Sequence, residues 1–183
     1  MQVLEAIETR SSAKKYTDAA PSREQVEAVL RAAVRAPDHG LLAPWRFAVM
    51  QGDSRARLGD AMVAALRERA PETDAEALDR ERSKAFRSPV LIAVAAAPKP
   101  HPKVPEVEQL VAVGAAIENM VLAARGLGLA TMWKTGSHAY HPGVKRALGF
   151  AESDTIVGFV HLGTAAVMAP VRPADFSAVT RWL

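Results

Sequence analysis

The segment from Val107 to Arg125 constrains the fold more than any other part of the chain. It carries Val, Leu, Ala, Ile and Met around most of the circumference of a predicted helix, which ends at Gly126-Leu127-Gly128. A helix that is apolar on most sides must be covered on most sides. We therefore expect this helix to be buried, either inside the domain or against another subunit.

Composition indicates one globular domain covering residues 1–183, with 49% hydrophobic and 23% charged residues. The net charge is +3, and Lys and Arg are scattered among Asp and Glu. Nucleic-acid-binding proteins usually gather their cations on one face, so we expect no nucleic-acid partner. The acidic start of the chain does not resemble a signal peptide, and the longest apolar stretch, Val90–Ala97, is too short to span a membrane. We expect a cytoplasmic protein with no membrane partner.

The absence of cysteine excludes disulfides, thiolate nucleophiles and Cys-ligated metals. His138 and His141 have a spacing that two metal ligands could use, but no carboxylate cluster accompanies them, so we expect no metal site. Pro142 is expected to break any helix there. Gly126-Leu127-Gly128 follows a helix rather than a strand and lacks the third glycine of a dinucleotide fingerprint. Neither a P-loop nor a Gly-x-Ser-x-Gly elbow occurs.

Hydrophobic periodicity and capping patterns predict alternating helices and strands without strict βαβ order. An α+β fold follows, with a small sheet wrapped by helices. A stiff proline-rich surface loop is expected at Pro98–Pro105, although a domain linker has the same composition. Predicted helices are Gln2–Thr9, the segment after Ser22 up to Pro37, Asp53–Arg69, a segment capped by Thr73, Val107–Arg125 and Gly143–Leu148; predicted strands are Phe47–Gln51, Pro89–Ala97, Leu129–Lys134 and Thr155–Leu162.

Three separate segments carry the residue types that bind a phosphorylated planar ligand. They are Arg10-Ser11-Ser12 with two lysines close behind, Arg35–His39 leading to Pro44-Trp45, and Trp133–Gly136. Cations and hydroxyls bind phosphate, while Trp, Pro and His offer surfaces to a heteroaromatic ring. Each segment alone also has a structural interpretation: a solvated helix end, an exposed loop, and an edge-strand lysine beside a core tryptophan. Together they favour a flavin mononucleotide (FMN) enzyme.

These residues resemble the nitroreductase family of FMN-dependent NAD(P)H oxidoreductases, in particular its small YdjA-like branch. The resemblance covers nearly the whole chain, and the order and spacing of several short motifs carry it. Besides the three segments named above, the motifs are Lys103-Val104-Pro105 with Glu108-Gln109, Ile156-Val157-Gly158-Phe159 and Leu162-Gly163-Thr164.

The resemblance implies a nitroreductase-like fold with a small, mostly antiparallel sheet and a domain-swapped homodimer that holds FMN at the subunit interface. Arg10 and Ser12 would hold the phosphate and ribityl chain, and Ser11 would belong to the same cofactor-binding segment. Trp133, Lys134 and Thr135 would also bind FMN, and Arg35 and His39 would reach it from the partner subunit. The stretch Val121, Leu122, Ala123, Ala124, Arg125, Gly126 matches a segment tied to the nicotinamide cofactor.

Three positions depart from the branch pattern. Ser11 stands where a second Arg is common, and Lys134 also stands where Arg is common, which would keep a phosphate contact without a bidentate fork. Val107 replaces an aromatic residue that usually precedes Glu108, so a wider pocket near the open flavin face is expected. These departures bear on substrate preference.

The predicted activity is a ping-pong transfer of electrons from NADH or NADPH through FMN to a nitroaromatic, a quinone or an unsaturated metabolite. No catalytic side chain is expected, because the flavin carries the chemistry; Arg35 is our candidate for the cation at its pyrimidine edge. The sequence leaves open a relative that performs dehalogenation or metabolite dehydrogenation, and a non-catalytic FMN-binding protein. It also leaves open a basic RNA-binding domain, which would bind with steep salt dependence.

Overall fold

The computed structural model of the protein describes residues Met1–Leu183 as an α+β arrangement of six helices and six strands. The helices are α1 (Val3–Thr9), α2 (Arg23–Ala33), α3 (Ala56–Arg69), α4 (Ala75–Ser83), α5 (Glu106–Gly126) and α6 (Pro142–Ala147). The strands are β1 (Ala13–Tyr16), β2 (Trp45–Gln51), β3 (Val90–Ala96), β4 (Ala130–Lys134), β5 (Thr155–Gly163) and β6 (Ala165–Met168).

The main sheet is antiparallel and four-stranded, in the order β2-β3-β5-β4. Strand β3 lies inside the sheet and every one of its residues is buried. A strand covered on both faces needs apolar side chains in both phases of its pleat. The continuous apolar run that predicted a buried central strand is therefore confirmed.

Helices cover both faces of this sheet and form two hydrophobic cores. On one face, Val90, Ile92 and Val94 pack with residues of α2 and α5. On the other face, Leu91 and Ala93 pack with residues of α3 and α6. The sheet therefore separates two layers, and a side chain on edge strand β4 faces one layer or the other according to its phase.

Helix α5 is buried on one side only. Eight of its residues, among them Val113, Ile117 and Met120, face the core, whereas Val107 and Val111 are 63% and 67% exposed. Its length and mean hydropathy would suffice to cross a membrane, but the buried residues pack against the sheet as a core helix does. The predicted burial of α5 is therefore met on only one side of the helix within one chain. An apolar stripe that includes Val107 and Val111 remains exposed.

The sequence analysis missed the second sheet, a two-stranded antiparallel pair of β1 and β6. Its register places Ala13 opposite Met168, which ties the segment after α1 to the tail of the chain.

The starts of two helices also differ from expectation. Asp74, rather than Thr73, caps α4 by accepting a hydrogen bond from the Ala77 amide at 2.7 Å. Pro142 begins α6 at its first turn, where a missing amide hydrogen costs nothing.

Candidate cofactor site

A cavity of about 590 Å³ brings the first predicted segment together with the tail of the chain. Arg10, Ser11, Ser12 and Lys14 line it together with Arg172 of the tail. Met132 of β4 also borders this space. Three cations and two hydroxyls around one cavity form a donor set suited to a phosphate monoester. We call this space the phosphate cavity.

The small β1–β6 sheet explains how residues so far apart in sequence meet. The amide of Ala169 donates a 2.9 Å hydrogen bond to the carbonyl of Ser12, which extends the strand pairing by one step. The chain after Ala169 must therefore pass beside Arg10-Ser11-Ser12, and Arg172 follows three residues later. The sequence analysis missed Arg172, because its only signal would have been the pairing of two short strands.

Helix α5 contacts the end of α1, from which the chain enters the phosphate cavity. Arg125 donates a 3.1 Å hydrogen bond to the hydroxyl of Thr9, the last residue of α1. Arg10 lies 4.0 Å from Glu118, a distance that gives only a weak ion pair between exposed groups. Arg10 thus keeps most of its capacity to bind an anion in the cavity.

The predicted nicotinamide stretch is the last part of α5. Val121 and Ala124 are buried in the core that faces the sheet. Leu122, Ala123 and Arg125 are half-buried, and Gly126 is exposed. Only the latter residues offer surface to a ligand, and the role of the stretch stays a prediction.

The third predicted segment divides between the two faces of β4. Trp133 is 41% exposed, so the alternative interpretation of this residue as a core tryptophan is wrong. Its indole lies directly over Gly158 of β5, where an added Cβ would come within 2.0 Å of Nε1. Any other residue at position 158 would displace the ring. Trp133 therefore presents a flat aromatic surface at the edge of the sheet.

Lys134 and Thr135 face a second cavity of about 250 Å³ on the α3 side of the sheet. Strand β4 is an edge strand, as the edge-strand interpretation of Lys134 required. Burial, followed by the nearby Arg87 and Lys84, lowers the pKa of Lys134. His161 of β5 also lines this cavity. We call this space the basic cavity.

His161 is a buried polar residue that the sequence analysis did not single out. The Ser88 hydroxyl donates to the Val90 carbonyl at 2.7 Å, so its oxygen accepts from Nδ1–H of His161 at 2.9 Å. The imidazole is therefore held as the neutral Nδ1–H tautomer. Burial, followed by the charges of Lys134 and Arg87, lowers its pKa to about 4.

His161 makes the free energy of unfolding depend on pH. Between pH 6.5 and 4 an unfolded His161 binds a proton and the folded one does not, so stability falls as the pH falls. The shift corresponds to about 3 kcal/mol at most. In His161→Asn, which keeps a donor toward Ser88, we expect a smaller loss of unfolding free energy between pH 7 and 4.5 in urea titrations. His101→Asn, a change at an exposed histidine, serves as control; equal losses in the two variants would refute the assignment.

Arg35 and His39 lie on the connection between α2 and β2 and line neither cavity. His39 Nδ1 is 2.6 Å from an Oε of Glu108 at the start of α5. Leu41 and Ala43 adopt φ of 52° and 49°, left-handed values that strain residues with a Cβ. Such strain concentrates at functional sites. Within one chain, Arg10-Ser11-Ser12 therefore lies beside the tail, and the segment Trp133–Gly136 lies near this site. The segment Arg35–His39 lies apart from both.

The model of the nitroreductase family matches residues 7–164. A protein of Escherichia coli (strain K12) that carries the name NAD(P)H nitroreductase YdjA is 38% identical over 169 residues, 92% of this chain and 91% of the relative.

Solved structures agree on the fold. A nitroreductase-like family protein from Bacillus cereus superposes with a TM-score of 0.85 at 24% identity, over 100% of this chain and 96% of that one. A protein from Desulfovibrio desulfuricans, named as a nitroreductase in complex with FMN, has a TM-score of 0.76 at 26% identity, over 98% of this chain and 95% of that one.

Proposed function

The chain belongs to the nitroreductase family, and from that membership we propose that it is an FMN-dependent NAD(P)H oxidoreductase. It passes electrons from a nicotinamide cofactor to a small organic acceptor such as a nitroaromatic or a quinone. The observation that carries this proposal is the phosphate cavity, where Arg10, Ser11, Ser12, Lys14 and Arg172 converge.

The residues present fit FMN. A phosphate monoester carries close to two negative charges at neutral pH, and three cations with two hydroxyls can neutralise and orient it. Met132 borders the same cavity, and β4 continues from it to Trp133 and Lys134. A ligand anchored by its phosphate therefore has an edge strand with an exposed indole beside it, where a flat ring system can pack.

A second subunit completes this site in our proposal. Arg35 and His39 line neither cavity of their own chain, so they serve the flavin of the partner in a homodimer. The tail supports a domain-swapped dimer, in which the C-terminal segments of the two chains are exchanged, because Phe176, Trp182 and Leu183 are largely exposed. Apolar side chains left uncovered on one chain favour an interface between copies.

When bound, FMN supplies the hydride chemistry that links the nicotinamide to the acceptor. The chain itself would bind, orient and tune this group: Arg10 and Arg172 would hold the phosphate, Trp133 would pack against the ring system, and Arg35 of the partner subunit would supply a positive charge to the pyrimidine edge. No protein nucleophile is needed, in keeping with a chain that has no cysteine. We place the enzyme in the cytoplasm.

The proposed kinetic mechanism is a ping-pong cycle, in which the oxidised nicotinamide leaves before the acceptor binds. Initial rates at several fixed acceptor concentrations should give parallel lines in double-reciprocal plots against NADH or NADPH. Lines that intersect would show that donor and acceptor are bound together, and would refute this order.

The Arg35→Ala variant is expected to retain FMN less well than the unchanged protein. Arg35 is exposed and has no ion pair in its own chain, so its removal costs the fold little. A lost charge-assisted contact weakens binding by about tenfold or more. Flavin per chain after gel filtration measures the effect. Arg31→Ala, an arginine of α2 paired with Glu27, is the control; equal flavin content in both variants would remove Arg35 from the site.

A further inference from the structure

The basic cavity has a charge imbalance that the predicted FMN contact of Lys134 explains only in part. It lies between α3, the segment from Glu81 to Arg87, and the ends of β4 and β5. Arg69, Lys84, Arg87 and Lys134 line it, together with the hydroxyls of Thr135 and Ser137. Glu81 is the only carboxylate among the lining residues.

That single carboxylate is already engaged. Lys84 donates to Glu81 at 2.5 Å, and Nδ1 of His138 lies 4.0 Å from the same carboxylate. Arg69 donates to the neutral hydroxyl of Ser137. Arg87 and Lys134 take part in no ion pair. After Lys84 and Glu81 cancel, three positive charges face one small cavity.

The two histidines of the cavity do not relieve this surplus. Burial lowers the pKa of both His138 and His161, so both are neutral at physiological pH. Burial, followed by the neighbouring Arg87 and Lys84, lowers the pKa of Lys134 as well. Cations that line one cavity without a counter-charge repel one another, and an anion placed among them would replace that repulsion with charge-assisted hydrogen bonds.

We infer that the basic cavity binds an oxyanion group, carboxylate or phosphate, of the molecule that exchanges electrons with the flavin. This inference rests on the proposed function, because Lys134 and Thr135 belong both to the cavity and to the predicted FMN contacts. A volume of about 250 Å³ is below the usual size of a whole cofactor pocket. The cavity therefore suits one anionic group with part of its ring or chain.

Two molecules could supply that group: an acidic acceptor through its carboxylate, or NADPH through its 2′-phosphate, which NADH lacks. Arg87→Gln and Arg69→Gln each remove one charge without breaking an ion pair. Arg57→Gln is the matched control, since Arg57 is an exposed arginine of the same helix as Arg69 that lies outside the cavity.

Kinetics on the FMN-loaded protein separate the two sources. If the acceptor is the source, Arg87→Gln lowers kcat/KM for 4-nitrobenzoate about tenfold and leaves the neutral 4-nitrobenzyl alcohol within about twofold. If the nicotinamide cofactor is the source, flavin reduction by NADPH slows about tenfold and reduction by NADH does not. Equal effects of Arg87→Gln and Arg57→Gln on all four compounds would overturn the inference.

Calorimetric titration with benzoate and with inorganic phosphate gives a readout that does not depend on turnover. The FMN-loaded protein should bind at least one of them, and Arg87→Gln should bind it about tenfold more weakly. Binding to the flavin-free protein alone would overturn the inference, because the cavity would then hold part of FMN itself. A protein that takes up no flavin would instead refute the proposed function, while its titration would still show whether the cavity accepts an anion.

Discussion

The Arg172→Ala variant is expected to lose its FMN on gel filtration, with a dissociation constant about 10- to 100-fold higher than that of the unchanged protein. Arg172 is the only contribution of the tail to the cations of the phosphate cavity. A hydrogen bond between charged groups contributes about 1.5–3 kcal/mol, which corresponds to that range of affinity. Equilibrium titration of flavin-free protein with FMN, followed by fluorescence, measures the change.

The same tail offers a matched control for this variant. Arg181 is exposed and lines none of the cavities described above, so Arg181→Ala should bind FMN like the unchanged protein. Unfolding temperatures of the flavin-free forms should agree, because Arg172 makes no ion pair whose loss could weaken the fold. If Arg172→Ala keeps full affinity, the phosphate of FMN does not lie in this cavity.

The second large effect is expected at the exposed stripe of α5, where Val111→Glu should convert the proposed dimer to a monomer. Val107 and Val111 lie one helical turn apart and are mostly exposed, and Val3, Leu4 and Ile7 of α1 are exposed as well. In a symmetric dimer one substitution places two unpaired carboxylates in an apolar interface. Several kcal/mol of lost association energy would raise the dimer dissociation constant by about a thousandfold.

Sedimentation or light scattering should then give the mass of one chain, 19.6 kDa, instead of twice that value. Tyr140→Glu places the same charge at an exposed ring away from α1 and α5, and should leave the dimer intact. The monomer should also lose FMN, because Arg35 and His39 would no longer reach it from the partner. A Val111→Glu dimer that keeps its flavin would place the interface elsewhere.

Local physics explains why most elements could be predicted from the sequence. The capping box at Ser22 and the helical spacing of Val26 and Val29 fixed α2, and both features are present. The apolar run of β3 and the long apolar segment of α5 also appear where they were expected. These signals act over a few residues, so the sequence contains them directly.

The site could be predicted only in part, because its assembly depends on distant pairing. Strands β1 and β6 are four residues each and lie about 150 positions apart in sequence, and the exposed Lys14 and Lys15 gave β1 no apolar pattern. Without that pairing nothing linked Arg172 to Arg10. Trp133 allowed a second interpretation as a core residue, because tryptophan is usually well buried, but Gly158 leaves room for its ring at the sheet edge.

The visible absorbance spectrum of the purified, undenatured protein tests the central claim most directly. We expect flavin bands that stay with the protein through gel filtration and bleach when NADH or NADPH is added without oxygen. A colourless protein that cannot be reconstituted with FMN would contradict both the cofactor and the proposed activity.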